Sequence, residues 1–518
     1  MRYNAPAPSL EIASLPLPQG KGVLGITHCP GRCEVGMGAG MERRELAQDL
    51  SAIRAWGATV LVTLIEEHEF ELLKVNRLGE MAEAEGLEWH HLPIPDMDVP
   101  DWRFGRRWIY SGLRLRRLLR QGGRVVLHCR AGLGRAGTIA AHLLVELGVP
   151  SAEAISQVRR VRQGAIQTNA QEAHVQQVSM ISPRQDEGMA RRLAGVLGGA
   201  LGDGFGHAVE FDKLAVIQRR FGPGGLRIPQ YEHGQLVVSD DTQMTLFTLE
   251  GLTRAYLRQE KSDDGILAQI RLSYLDWLET QGGKRGSGEA SRLMKHATLH
   301  ARCSPAETCL SALEAGGQGS PDKPLNNSRD QGGVMRVAPV ALMPDMNADK
   351  AFKLGLGSAA LTHGHPGAYL PAGILAATLF LLLEGQPLAL AVQQAREIAL
   401  EQPGHEETIA RINAAVEAGK RPHLGNIPPH LGQGWSGDDA LAIGLYAVTR
   451  SLDFSSVMFT AANQDGNSAT AAAIAGQLYG AQYGLEALPH AWIRRLDILD
   501  ALCDLMDWGR DIWTPTAS

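Results

Sequence analysis

Residues 128–138 read His128-Cys129-Arg130-Ala131-Gly132-Leu133-Gly134-Arg135-Ala136-Gly137-Thr138. An apolar β-type run, Val125–Leu127, precedes them, and a helix-like run, Ile139–Leu147, follows. Strand, glycine-rich loop and helix start make a cradle whose backbone N–H groups converge on one oxyanion. A cysteine at the mouth of such a cradle is favoured in its anionic, nucleophilic form. Arg135 adds a planar fork suited to two phosphate oxygens. Nucleophile, anion cradle and charge clamp in one stretch point to phosphate-ester cleavage through a phosphocysteine.

Such a cleavage needs a proton donor for the leaving oxygen. The stretch His90-His91-Leu92-Pro93-Ile94-Pro95-Asp96-Met97-Asp98-Val99-Pro100-Asp101 reads as a strand running into a loop, with Asp96 as the candidate general acid. Asp98 and Asp101 are the alternatives. Seven arginines between Arg103 and Arg120 crowd the next helical run. They form either a field that concentrates anions or, as we favour, a solvated face balanced by acids elsewhere.

The second half carries a different pattern. The run Ala194–Gly206 sets many glycines in an apolar helical stretch, which close helix packing or a backbone-lined ligand site explains. Ser239-Asp240-Asp241-Thr242 then puts four oxygen-bearing side chains at a helix start. A hard cation would explain the clustered acids, and so would simple N-capping. His363 and His365 have H-x-H spacing but fit a helix-entering turn better than an Mg²⁺ site.

With 518 residues the chain is too long for one ordinary core. Before residue 181, β runs at Val23–Thr27, Thr59–Ile65 and Val125–Leu127 alternate with helical runs, an α/β pattern. After residue 192, helical Ala/Leu/Gly stretches dominate. We therefore expect a domain over 1–183, a linker over 184–192 and an all-α domain over 193–518. A net charge of −6 argues against broad nucleic-acid binding. Met1–Gly22 lacks a continuous apolar core, and the longest apolar run, Leu370–Leu383, is too short to span a bilayer. Six cysteines form no disulfide framework. A cytoplasmic enzyme acting on neither membrane nor nucleic acid is expected.

Residues 20–180 resemble dual-specificity-type protein phosphatases of the kinase-associated-phosphatase group. The resemblance is carried by HHLPIPD at 90–96, HCRAGLGRAGT at 128–138 and Gly164-Ala165-Ile166-Gln167-Thr168. It implies an α/β cysteine-phosphatase fold needing no cofactor, with Cys129 as nucleophile, Arg135 binding phosphate and Asp96 as acid. Thr138 would help the thiolate leave, and Gln167 would position the hydrolytic water.

Residues 190–518 resemble the ADP-ribosylglycohydrolase family. The matching stretches are GALGDGFGHAVEF at 199–211, SDDTQMTLFT at 239–248, NNSRDQGGVMRVAP at 326–339, THGHP at 362–366 and AAAIAGQLYGAQYG at 471–484. An all-α bundle holding two Mg²⁺ or Mn²⁺ ions and cleaving ADP-ribose from an acceptor is implied. By that resemblance Ser239, Asp240, Asp241, Asn467 and Thr470 would face metal. Glu210, Gly333, Val334, Met335 and Arg336 would contact ADP-ribose. One departure stands out. Where the family pattern is Gly-Asp-Ser-Asp-Thr, this chain has Gly466-Asn467-Ser468-Ala469-Thr470. Two carboxylates are lost, and hard-cation affinity depends on that charge.

The expected protein is thus a two-activity hydrolase. Its substrates would be a phosphorylated protein or small phosphate ester, and an ADP-ribosylated protein or ADP-ribose metabolite. The alternative is an active phosphatase joined to an inactive ADP-ribose-binding or scaffold module.

Overall fold

The computed structural model describes residues 9–18, 22–35, 41–284, 288–421, 427–451 and 453–513. The chain divides into two compact units, Met1–Glu187 and Gly188–Ser518.

The first unit holds strands β1 (Ala13–Pro16), β2 (Val23–Thr27), β3 (Cys33–Val35), β4 (Met41–Arg43), β5 (Val60–Thr63), β6 (Glu88–His91) and β7 (Arg124–His128). Five of them form one sheet in the order β1-β2-β7-β5-β6, while β3 and β4 pair separately. β1 is antiparallel to β2, and the remaining neighbours are parallel. Within β5 and β7 the runs Val60–Val62 and Val125–Leu127 are apolar at successive positions because alternate side chains enter two covered faces. Val60, Val62, Val125 and Leu127 join a core with Phe104, Leu115 and Ile139. Leu61 and Val126 join a second core with Leu50, Ile53 and Leu78.

Two expectations change here. The helix after the cysteine loop starts at Gly134 and runs to Glu146, so the loop is shorter than the apolar pattern implied. Residues 184–192, expected as a linker, hold the boundary between the two units in sequence and lie inside one helix, Pro183–His207. Asp186 is fastened to Arg116 at 2.7 Å and also meets Arg120, while Glu187 meets Arg117. Arg116 also meets Glu146 at 2.8 Å, and Arg114 meets Glu88 at 2.6 Å. The arginine-rich helix, Trp102–Arg120, is therefore committed largely to ion pairs. The polar stretch that reads as a linker supplies two of their acids, Asp186 and Glu187.

The described residues of the second unit form α-helices, 3₁₀ turns and isolated bridges, with no strand. Its organising contact is a backbone seam between Pro183–His207 and Ser468–Tyr483. A Cβ on Gly198, Gly202 or Gly206 would collide with the carbonyl of Gly476, Ala472 or Ser468 in turn. The four-residue recurrence of small residues is what allows this approach. The apolar helix Pro366–Leu383 is, among described helices, the one long and apolar enough to cross a membrane, and 83% of it is buried inside the unit.

The seam yields a test. Gly476→Ala drives a methyl into the Gly198 carbonyl, and overpacking of this kind costs about 1–3 kcal/mol. The urea midpoint of the full chain should fall accordingly; an unchanged midpoint would show the helices to be further apart.

Candidate active sites

In the first unit the site forms at the carboxyl ends of parallel strands, where open α/β sheets bind their ligands. β7 delivers Cys129 directly. Pairing continues past the strands: Leu64 N donates to His128 O at 3.0 Å, Leu92 N to Thr63 O at 2.9 Å and Ile94 N to Leu64 O at 3.1 Å. These bonds carry the 92–96 segment alongside the cysteine loop. Gly132 is required where it stands. Its φ is +70°, and a Cβ there would strike the Thr27 backbone.

His128 is buried under the loop. Its Nε2 lies 2.7 Å from Thr63 Oγ1, and its Nδ1 lies 3.3 Å from the Cys129 carbonyl. Trp89 Nε1 donates to Thr63 Oγ1 at 2.8 Å. The consistent assignment is a neutral ring: Nδ1–H donates to the Cys129 carbonyl, and Nε2 accepts from Thr63. Burial supports it by pushing the His128 pKa down to about 3.

Arg135 is the electrostatic centre. Its side chain is 1% exposed. Both Nη groups meet the Glu69 carboxylate, at 2.5 and 2.9 Å, and Nη1 also donates to Ile94 O at 3.1 Å. Asp96 Oδ1 is 3.0 Å from Nη2, on a side chain 57% exposed. Burial opposes the arginine's charge, but the Glu69 hydrogen bond and the fields of Cys129, Glu69 and Asp96 outweigh it and raise its pKa. Burial likewise works against the Glu69 carboxylate, and Arg135 more than compensates, leaving its pKa below the usual range. Arg135 Nε is buried with no partner among the described residues.

The three loop acids separate. Asp101 caps the following helix, accepting from Arg103 N at 2.9 Å and Phe104 N at 3.1 Å. Asp98 Oδ1 accepts from Val99 N within its own loop. Asp96 alone faces the arginine. Thr138 Oγ1 donates to Gly134 O at 2.8 Å, one turn into the helix. Gln167 sits over Gly134, where a Cβ would meet its Oε1. Gln171, which the sequence reading missed, accepts from Gln167 N at 2.9 Å and donates to Asp98 O at 3.0 Å. It ties the acid loop to the glutamine loop. Glu69 was also missed, since it is one acid among several in Glu66-Glu67-His68-Glu69-Phe70-Glu71.

In the second unit Ser239 is the N-cap of Asp240–Leu257, its Oγ accepting from Asp241 N at 3.2 Å. Asp203, the one acid in the glycine-rich run 194–206, binds the same helix start. Its carboxylate accepts from Ser239 N, from Thr242 N at 3.1 Å and from Thr242 Oγ1 at 2.6 Å. Asp240 Oδ2 accepts from Ala306 N at 3.0 Å. Glu210 Oε2 pairs with His207 Nδ1 at 3.0 Å.

Asp203, Glu210, Asp240 and Asp241 are all buried. Burial, with repulsion from the neighbouring carboxylates, pushes Asp240 and Asp241 well above the usual carboxylate range. The Thr470 hydroxyl lies close enough to Asp241 to offset part of that rise. Yet neither Thr470 Oγ1 nor Asp241 Oδ2 has a well-formed hydrogen bond among the described residues. Oxygen donors, one of them a free carboxylate oxygen, fit a hard cation.

Other assignments move. Asn467, expected to offer its oxygen to metal, is a helix N-cap accepting from Thr470 N at 2.8 Å, and its Nδ2 points at Glu210 Oε1, 3.4 Å away. Gly333, Val334, Met335 and Arg336, expected to contact ADP-ribose, are buried. Met335 O accepts from Gln477 Nε2 at 2.9 Å. Arg336 is fully buried, its guanidinium on Thr362 Oγ1 at 2.6 Å, on Ser358 O and over the Tyr274 ring. It braces the core. His363 pairs with Asp330 and Thr362, and His365 caps Pro366–Leu383, so neither faces the acids.

A family model described as ADP-ribosylglycohydrolase matches residues 184–516, and one described as polymorphic toxin system, DSP-PTPase phosphatase, matches residues 35–149. Cyclin-dependent kinase inhibitor 3 of Rattus norvegicus is 32% identical over 129 residues, 24% of this chain; the chain spans 59% of that relative's length. ADP-ribosyl-(dinitrogen reductase) glycohydrolase of Rhodospirillum rubrum is 24% identical over 316 residues, covering 60% of this chain and 90% of the relative. ADP-ribosylarginine hydrolase of Pseudomonas putida is 26% identical over 324 residues, covering 60% and 75%.

The Arg135 pairing yields a test. Glu69→Gln leaves a buried guanidinium without its carboxylate, a loss worth about 3–5 kcal/mol. The full chain's first unfolding transition should shift by that order. No shift would mean that Glu69 does not balance Arg135.

Proposed function

The chain belongs to the ADP-ribosylglycohydrolase family through residues 184–516, and we propose that it is a two-activity hydrolase. Its first unit would cleave phosphate monoesters through a Cys129 phosphocysteine. Its second would cleave ADP-ribose linkages with a divalent cation, Mg²⁺ or Mn²⁺. The observation that carries this reading is a pair of unmet buried atoms, the Nε–H of Arg135 and the Oδ2 of Asp241. One is a donor beside a cysteine cradle; the other is a carboxyl oxygen at the end of an acidic basin. Among the buried polar atoms left without a partner, these two lie in the candidate sites, where a ligand of the right sign would complete them.

In the phosphatase reaction Cys129 Sγ attacks phosphorus, and the bond to the leaving oxygen breaks as Asp96 donates its proton to that oxygen. Cradle N–H groups and the Arg135 Nε and Nη2 groups hold the phosphoryl oxygens. Asp96 gives up its contact with Nη2 when phosphate arrives, which its exposure allows. Water, placed by Gln167, then attacks the phosphocysteine. Its proton passes to Asp96, and Cys129 leaves as thiolate with the Thr138 hydroxyl beside it.

In the second unit Asp240, Asp241 and Thr470 would hold the cation, which supplies Lewis-acid polarisation of an oxygen on substrate or water. Glu210 lines the same basin, fixed by His207. The substrates proposed are a phosphorylated protein or small phosphate ester and an ADP-ribosylated protein or ADP-ribose metabolite. A cytoplasmic setting goes with this reading, on the cysteine usage of the chain.

Two assays on the full chain test it. Cys129→Ser should lower phosphate release from an aryl phosphate by more than about a thousandfold while phosphate still binds. Turnover surviving in that variant would remove Cys129 from the reaction. Hydrolysis of ADP-ribosyl-arginine should require Mn²⁺ or Mg²⁺ and stop with chelator; turnover indifferent to chelator would remove the cation.

A further inference from the structure

The oxygens of the acidic basin are not equally available. Both Asp203 oxygens are taken by Ser239 N, Thr242 N and Thr242 Oγ1. Asp240 keeps one oxygen on Ala306 N. Glu210 is held at Oε2 by His207 and approached at Oε1 by Asn467 Nδ2. Besides Asp497 Oδ1, unmet on an acid that feels the charge of Asp203, the unmet oxygens are gathered at one end. Asp241 Oδ2 and Thr470 Oγ1, on side chains 2% and 0% exposed, have no well-formed partner.

The other end is finished with a donor. The Asn467 side chain cannot be turned round, because its Oδ1 must accept from Thr470 N to cap Ser468–Tyr483. Its amide N–H is thereby aimed at Glu210. A cation at that place would face N–H dipoles of the wrong sign. Ala469 is fully buried and offers a methyl group. Asp465, the nearest acid in sequence, does not substitute, since its Oδ1 accepts from Leu214 N at 2.9 Å. A divalent ion leaves water only for anionic oxygens in sufficient number. The basin provides them once.

We propose that this basin holds a single divalent cation, at Asp240, Asp241 and Thr470, and that the Asn467 amide stands in for a second. The hydrogen bond from Asn467 to Glu210 takes over the part of charge partner that another ion would play. This rests on the cation-dependent reading above and sharpens it.

The full chain, stripped with chelator and titrated with Mn²⁺ by calorimetry and by electron paramagnetic resonance of the free ion, should bind one tight Mn²⁺. Asp241→Asn should weaken that binding at least tenfold. Asn467→Asp keeps the cap, because Asp caps as well as Asn, and exchanges the donor for a carboxylate; it should admit a second Mn²⁺. Two tight ions in the natural chain, or none, would overturn the inference, as would a count of one in folded Asn467→Asp. Should that variant not fold, the natural chain's count decides alone. ADP-ribosyl-arginine turnover on the same preparations separates the two levels. Turnover with two ions defeats only the single-cation inference, whereas no ion and no turnover defeat the cation-dependent reading with it.

Discussion

A charge taken out of water must meet an opposite charge or keep a place open for one. Both units of this chain are arranged around that constraint. In the first, Arg135 is buried against Glu69, which neutralises it without using all its donors. In the second, four buried carboxylates share one region, and only His207 among the described residues pairs with any of them as a cation. Backbone N–H groups absorb much of the remaining negative charge, most visibly at Asp203. The chemistry proposed for each unit is the chemistry of the valence left over.

The scaffolds differ because the charges differ. An anion is held by N–H groups, so the first unit places a glycine-rich loop between a parallel strand and a helix start and supports it from beneath with a neutral histidine. A cation is held by oxygens, which must be brought in from separate helices. The second unit does so with a glycine seam. That seam sets Asp203 and the Asn467–Thr470 turn at neighbouring ends of two closely packed helices. Small residues matter there for distance, while the acids matter for charge.

Much of this was legible in the sequence, and what was not has physical causes. Cys129, Arg135 and their loop are local in sequence, so spacing alone placed them. Of Asp96, Asp98 and Asp101 it is Asp96 that reaches Arg135, a contact between distant segments that the loop's own sequence does not mark. Glu69 and Gln171 act across 66 and 73 residues, on Arg135 and Asp98. Nothing in their own neighbourhoods marks them. Asp203 did carry a signal, as a single acid in a run of glycine and apolar residues that has no other use for charge. The burial of residues 333–336, expected from the resemblance to contact ADP-ribose, was not legible in their sequence. Here Arg336 turns inward onto carbonyl, hydroxyl and ring. The polar stretch 184–192 was legible as a boundary, but not that it is helical or that Asp186 and Glu187 pair with arginines of the first unit.

The central claim, that the acidic basin is completed by a bound cation, is tested most directly by unfolding rather than by catalysis. Ligand that binds only the folded state raises stability by RT ln(1 + [L]/Kd). Thermal unfolding of the chelator-stripped full chain, followed against Mn²⁺ concentration, should show one transition climbing with the logarithm of the ion. Asp241→Asn should flatten that climb. A transition that stays fixed over the whole range of Mn²⁺ would contradict the account.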